Sequence, residues 1–131
     1  MENLQIRTGQ VCLNILDDQG ESRGIFKFNP EDITLAKKVV DIQEEIAKKH
    51  AEFEKRIPEC ETPEQQLELM KETVDYFEGL IDRCFGEGSS KILFGDNTSL
   101  SMFNDFFDGI TPYFKKAAQK RVAKYKKPSK K

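Results

Sequence analysis

The chain has 131 residues, 37% hydrophobic and 34% charged, with a formal net charge of −2 at pH 7. That length and balance predict one soluble domain with a modest core. They exclude a membrane protein, because no uninterrupted apolar run exceeds three residues, against the roughly 20 that a spanning helix needs. The opening Met1-Glu-Asn-Leu-Gln-Ile6 has neither the basic region nor the apolar core of a secretory signal, which predicts a cytoplasmic protein.

The charge is unevenly placed. Nine of the 21 basic residues lie between Lys115 and Lys131, a stretch without an acidic residue. The 114 residues before it carry 12 basic and 23 acidic groups, a balance of −11. An acidic body with a basic tail points to nucleic acid, to an acidic partner or to the body itself as the tail's dock. Lysines in a last helical turn also complement the helix dipole.

In chain order, Val11–Leu16 and Gly24–Phe28 have the β-branched and aromatic character of strands, and Asp17–Arg23 supplies a turn with Gly20 free to take positive φ. A hairpin follows, with Leu4-Gln-Ile6 as a candidate third strand, since an isolated hairpin is only marginally stable. Asn29-Pro30-Glu31-Asp32 announces a helix beginning at Pro30 and capped by Asn29. Its apolar positions Leu35, Val39, Ile42, Ile46 and Phe53 carry it to about Arg56, where Ile57-Pro58 ends it. Thr62 and Gln65 form a capping box for a second helix to residue 85, striped by Leu67, Met70, Val74, Phe77, Ile81 and Cys84. The short link predicts an antiparallel helical hairpin.

Gly86 ends this helix as a left-handed cap, and Gly88 and Gly95 bracket a loop with apolar residues Ile92, Leu93 and Phe94 that should fold back on the hairpin. A third helix over about 99–125 carries Leu100, Phe103, Phe107, Ile110 and Phe114 on one face, with Pro112 expected to kink or divide it. The fold class is therefore α+β, mostly α. Residues 1–125 make a single domain, and 126–131 a basic tail expected to be disordered.

Chemical candidates are few. Gly86-Glu-Gly88-Ser-Ser-Lys91 has glycines and a lysine as phosphate loops do, but it lacks the four-residue gap and the Lys-Ser/Thr ending, and it follows a helix instead of a strand. Carboxylate pairs such as Glu44 with Glu45 and Asp105 with Asp108 fit solvated helix faces, with Glu44–Lys48 and Glu45–Lys49 as spaced ion pairs. The cysteines Cys12, Cys60 and Cys84 are odd in number and share one histidine, His50, so neither a disulfide framework nor a zinc site is indicated. No catalytic residue, cofactor or metal is assigned, and the reading is of a non-enzymatic binding protein. The aromatic run is the partner-binding candidate: Phe103, Phe106, Phe107, Ile110, Tyr113 and Phe114, with Phe106 off the stripe and expected to be exposed. A helix buried on two sides is the competing account.

The order of a long helix, Phe85-Gly-Glu-Gly88, a short apolar turn ending in Phe94-Gly95, and an aromatic helix closing in lysines resembles the small tail assembly chaperones of phages and prophages, of the kind carried by Firmicutes siphophages. The resemblance covers roughly residues 24 to 125. It implies a chain without enzymatic activity that coats the tape measure protein, recruits tail tube protein and forms a homo-oligomer. It also implies a programmed frameshift near the end of the reading frame, which lysine pairs such as Lys126-Lys127 would accommodate. The alternative is a small phage regulator or inhibitor acting through its acidic body or through nucleic-acid contacts of residues 115–131.

Overall fold

The computed structural model describes residues 1–126. Strands β1 (Val11–Leu16) and β2 (Ser22–Phe28) pair antiparallel, with Val11 opposite Phe28 and Leu13 opposite Phe26. Asp17 builds the turn, its carboxylate accepting from the Gln19 and Glu21 amides at 2.9 Å while Gly20 takes φ +82°. Two strands alone would be marginal. The hairpin persists because its inner face, Val11, Leu13, Ile15, Phe26 and Phe28, packs on the helices. The third strand expected at Leu4–Ile6 does not form, and residues 1–10 are exposed throughout.

Helix α1 runs from Ile33 to Arg56, three residues later than the Asn29 cap predicts. Asn29 instead closes a turn, accepting from the Glu31 amide at 2.9 Å, and Asp32 caps α1 through the amides of Thr34 and Leu35. Both are good capping residues, and the one whose carboxylate reaches two amides sets the start. A 3-10 turn at Ile57–Glu59 ends the rod where Pro58 requires it.

Helix α2 spans Pro63–Phe85, with the Thr62 hydroxyl accepting from the Gln65 amide at 3.1 Å. Its buried line is Leu69, Thr73, Phe77, Leu80 and Cys84, with Val74 and Ile81 beside it. Leu67, counted in the expected stripe, is 65% exposed. Thr73 stays buried because its hydroxyl donates to the Leu69 carbonyl at 2.8 Å. Arg56 meets Glu72 at 3.4 Å and Lys49 lies 4.9 Å from the Tyr76 ring centre, so α1 and α2 run antiparallel as expected.

The loop read between the glycines contains a short helix, α3 (Ser89–Phe94), and α4 follows from Ser101 to Lys126. Neither a break nor a division occurs at Pro112; α4 continues through it. Pro112, Asp108 and Thr111 are all on the exposed face. The Asp108 carbonyl loses its amide partner there, and the Thr111 hydroxyl donates to the neighbouring Phe107 carbonyl. Helix α4 takes in Lys126 of the expected tail, and the remainder of that tail lies outside the described residues.

The core joins all the layers: Phe26 and Phe28 from the hairpin, Val39 and Ile42 from α1, the α2 line, Leu93 and Phe94 from α3, and Phe103, Phe106 and Ile110 from α4. The structure is α+β and mostly α, as the sequence predicts.

Candidate functional site: a groove between the hairpin and the last helix

The glycine-bounded segment that dominates the sequence is a structural joint. Gly86, Gly88 and Gly95 take φ of +115°, +90° and +62°, conformations that disfavour any residue with a Cβ. Between them, the Asp82 carboxylate accepts from the Ser90 amide at 2.8 Å and its hydroxyl at 3.1 Å. At the other end of α3, Arg23 Nη1 donates to the Leu93 carbonyl at 3.1 Å. The Ser90 amide that an anion would need is thus spent on Asp82, and Leu93 and Phe94 are locked into the core.

That joint holds α3 against β2 and leaves a groove between the hairpin and α4. Its volume is about 550 Å³. Leu13 and Ile15 form one wall, and Met102, Phe106, Gly109 and Tyr113 of α4 form the other. These α4 positions recur at spacings of four, three and four, so they share one helix face. The α4 wall is open at Gly109, where a Cβ would find no heavy atom within 4 Å. Charge enters from Asp18 on the hairpin turn, Asp105 on α4 and Arg23 on β2. Arg23 has no carboxylate within ion-pair distance among the described residues.

The six residues proposed from sequence divide between two surfaces. Phe106, Ile110 and Tyr113 line the groove. Phe103 is not among the lining residues; it is buried edge-on against Phe77 and Phe94 at 5.2 and 5.0 Å between ring centres. Phe107 and Phe114 are half-buried, Phe114 stacking on Phe28 at 5.6 Å. The expected exposure of Phe106 is overturned. Only 7% exposed, it is ringed by Phe26, Phe85, Phe94 and Phe107 at 5.0 to 6.0 Å. Helix α4 is buried on two sides because the hairpin covers the face that the single-stripe reading left bare. Tyr113, 36% exposed, is the most open aromatic of the six.

Leu13, Ile15, Met102 and Gly109 are among the lining residues that sequence reasoning missed. The spacing of Met102, Phe106, Gly109 and Tyr113 was the available signal, obscured by the glycine in its middle.

The charged groups elsewhere do structural work. The expected Glu44–Lys48 and Glu45–Lys49 pairs do not form; Lys49 pairs with Glu52 at 3.2 Å, and Lys71 with Asp75 at 3.1 Å. Lys120 reaches Glu31 at 3.3 Å, so the basic end of α4 docks in part on the protein's own body. Burial, then the neighbouring Asp75 and Asp82, raises the Glu78 carboxyl above its ordinary range. Burial pushes the Cys84 thiol up to about 11. Among the described residues no group of three or more His, Cys, Asp or Glu side chains could hold a metal, and no helix is long and apolar enough to cross a membrane.

Residues 23–131 match the Family of unknown function (DUF6673), and the chain belongs to that family. The match begins at the start of β2 and leaves out residues 1–22. No curated protein and no solved structure matches the chain.

Proposed function

We propose that this DUF6673 protein is a non-enzymatic assembly chaperone of phage or prophage tails, and that the groove between the hairpin and α4 receives an apolar helical stripe of the tape measure protein. The observation that carries the reading is the groove itself. Its walls set apolar residues of the hairpin and of α4 among polar ones, the α4 wall is open at Gly109, and its carboxylates Asp18 and Asp105 belong to different elements. Amphipathic helices are held in grooves of this kind by burial of residues spaced three and four apart. The resemblance in motif order supplies the partner, and host cytoplasm is the proposed compartment.

The test is co-expression with the tape measure protein encoded nearby and a pull-down at about 0.5 M salt, where surface charges are screened within several ångström. Retention in wild type and loss in Gly109→Trp, with the circular dichroism spectrum unchanged, is the expected result. No association with a well-expressed, soluble partner refutes the reading. The second reading, nucleic-acid contact through α4, is favoured by the exposure of Lys115, Lys116 and Lys124 on its basic half. Phosphate binding through those lysines would fall steeply with salt, and apolar capture would not.

A further inference from the structure

We propose that the groove has an occupant within the protein's own population: residues 2–7 of a second copy, added as a strand along the open edge of β1 with Leu4 and Ile6 inserted into the groove. This goes beyond the tail partner and requires only the chain itself.

Three observations lead there. The first is the arm, residues 1–10. Leu4 and Ile6 are 86% and 72% exposed, and no backbone hydrogen bond among the described residues ties the arm to the rest of the chain. Their two-residue spacing puts both side chains on one face of an extended strand. The tight turn that would fold the arm back onto its own β1 is absent; Gly9 takes φ +94° beside the Glu31 carboxylate instead.

The second observation is the receiving edge. The sheet has two strands, so each has one unpaired edge. At the Arg23–Gly24 end of β2, α3 packs alongside, with Ile92 beside Gly24 and Arg23 bonded to the Leu93 carbonyl. β1 lines the groove through Leu13 and Ile15, and an unpaired edge beside apolar pockets is the geometry of strand addition. Its length also fits: six extended residues span about 20 Å, and β1 has six.

Charge supplies the third. Glu2 shares the strand face of Leu4 and Ile6. Arg23, the one cation lining the groove, lies among the same lining as Asp18 and Asp105 and forms no ion pair among the described residues, and Arg7 of the arm carries the charge complementary to those two carboxylates. Reciprocal exchange of two arms satisfies both copies and closes a two-fold dimer.

Sedimentation of the full chain across the micromolar range tests this. Wild type is expected to associate with rising concentration. Leu4→Asp with Ile6→Asp should weaken association by about 100-fold or more, from loss of two buried aliphatic side chains in each of the two arms. Folding should be unchanged in that variant, because both side chains are solvent-exposed in the single chain. Gly109→Trp, which fills the groove, should also be monomeric. Mixing the two variants should restore a complex, one supplying the groove and the other the arm. A wild type that remains monomeric, or an association that survives Leu4→Asp with Ile6→Asp, overturns the proposal without bearing on the tape measure reading.

Discussion

Replacing Gly109 with alanine should stabilise the protein, although glycine-to-alanine changes at the chain's other turns should not. Gly109 lies inside α4, its φ is not positive, and a Cβ there meets no heavy atom within 4 Å. A glycine in a helix interior is worse than alanine by about 0.8–1.0 kcal/mol, chiefly because it loses more backbone freedom on folding. Nothing in the structure offsets that gain, since no contact is displaced and no cavity is created. For a domain of this size about 1 kcal/mol corresponds to a rise in Tm of roughly 3–5 °C. Gly79, also helical with open space at its Cβ, should behave alike and serves as the control remote from the groove.

Differential scanning calorimetry measures both variants. Equal stabilisation means that the α4 wall is open at Gly109, and Gly109→Trp can then be read as an obstruction of the groove and not as a folding defect. A fall in Tm for Gly109→Ala alone would refute the reasoning. It would mean that Gly109 is needed to accommodate Pro112 three residues later, and that the opening in the α4 wall is incidental.

Phe106→Ala should cost about 3 kcal/mol in denaturant unfolding, because it opens a cavity among four aromatic rings and removes the groove floor. Asp82→Ala leaves the Ser90 amide and hydroxyl without their acceptor. It should cost about 1–3 kcal/mol, and amide exchange across residues 89–94 should accelerate more than exchange in α1. Cys84 titrates near 11 in the fold against 9.0 as its ordinary value. The unfolded chain therefore releases this proton first as pH rises, and stability falls between about pH 9 and 11. Cys84→Ala should flatten that part of the wild-type stability profile, measured as the difference in Tm between the two proteins.

Where one segment's own residues decide its conformation, the sequence is readable. The hairpin turn follows from Asp17 and Gly20, the end of α1 from Pro58, the start of α2 from Thr62 and Gln65, and the glycine joint from residues that only positive φ explains. Errors arise where two local signals compete. Asn29 and Asp32 are both capping residues, and only the carboxylate that meets the Thr34 and Leu35 amides fixes the first turn. Pro112, expected to kink or divide its helix, does not divide α4, and its neighbours Asp108 and Thr111 are exposed.

The groove is least legible because it belongs to no single segment. Its α4 wall reads in sequence as a run of aromatics, from which Phe106 stands out as surplus to one stripe. The hairpin, distant in the chain, converts that surplus into a second buried face through Phe26. What then remains open is set by two absences that periodicity does not score, a side chain at Gly109 and a third strand at Leu4–Ile6. Both leave apolar surface uncovered in one copy: the groove walls in the first case and the arm in the second. Helix capping and turn chemistry satisfy groups within a segment, whereas these two surfaces stay uncovered in the single chain. The same physical deficit therefore underlies the proposed client and the proposed arm exchange, and a strong arm exchange would make the two compete for Leu13, Ile15 and Phe106.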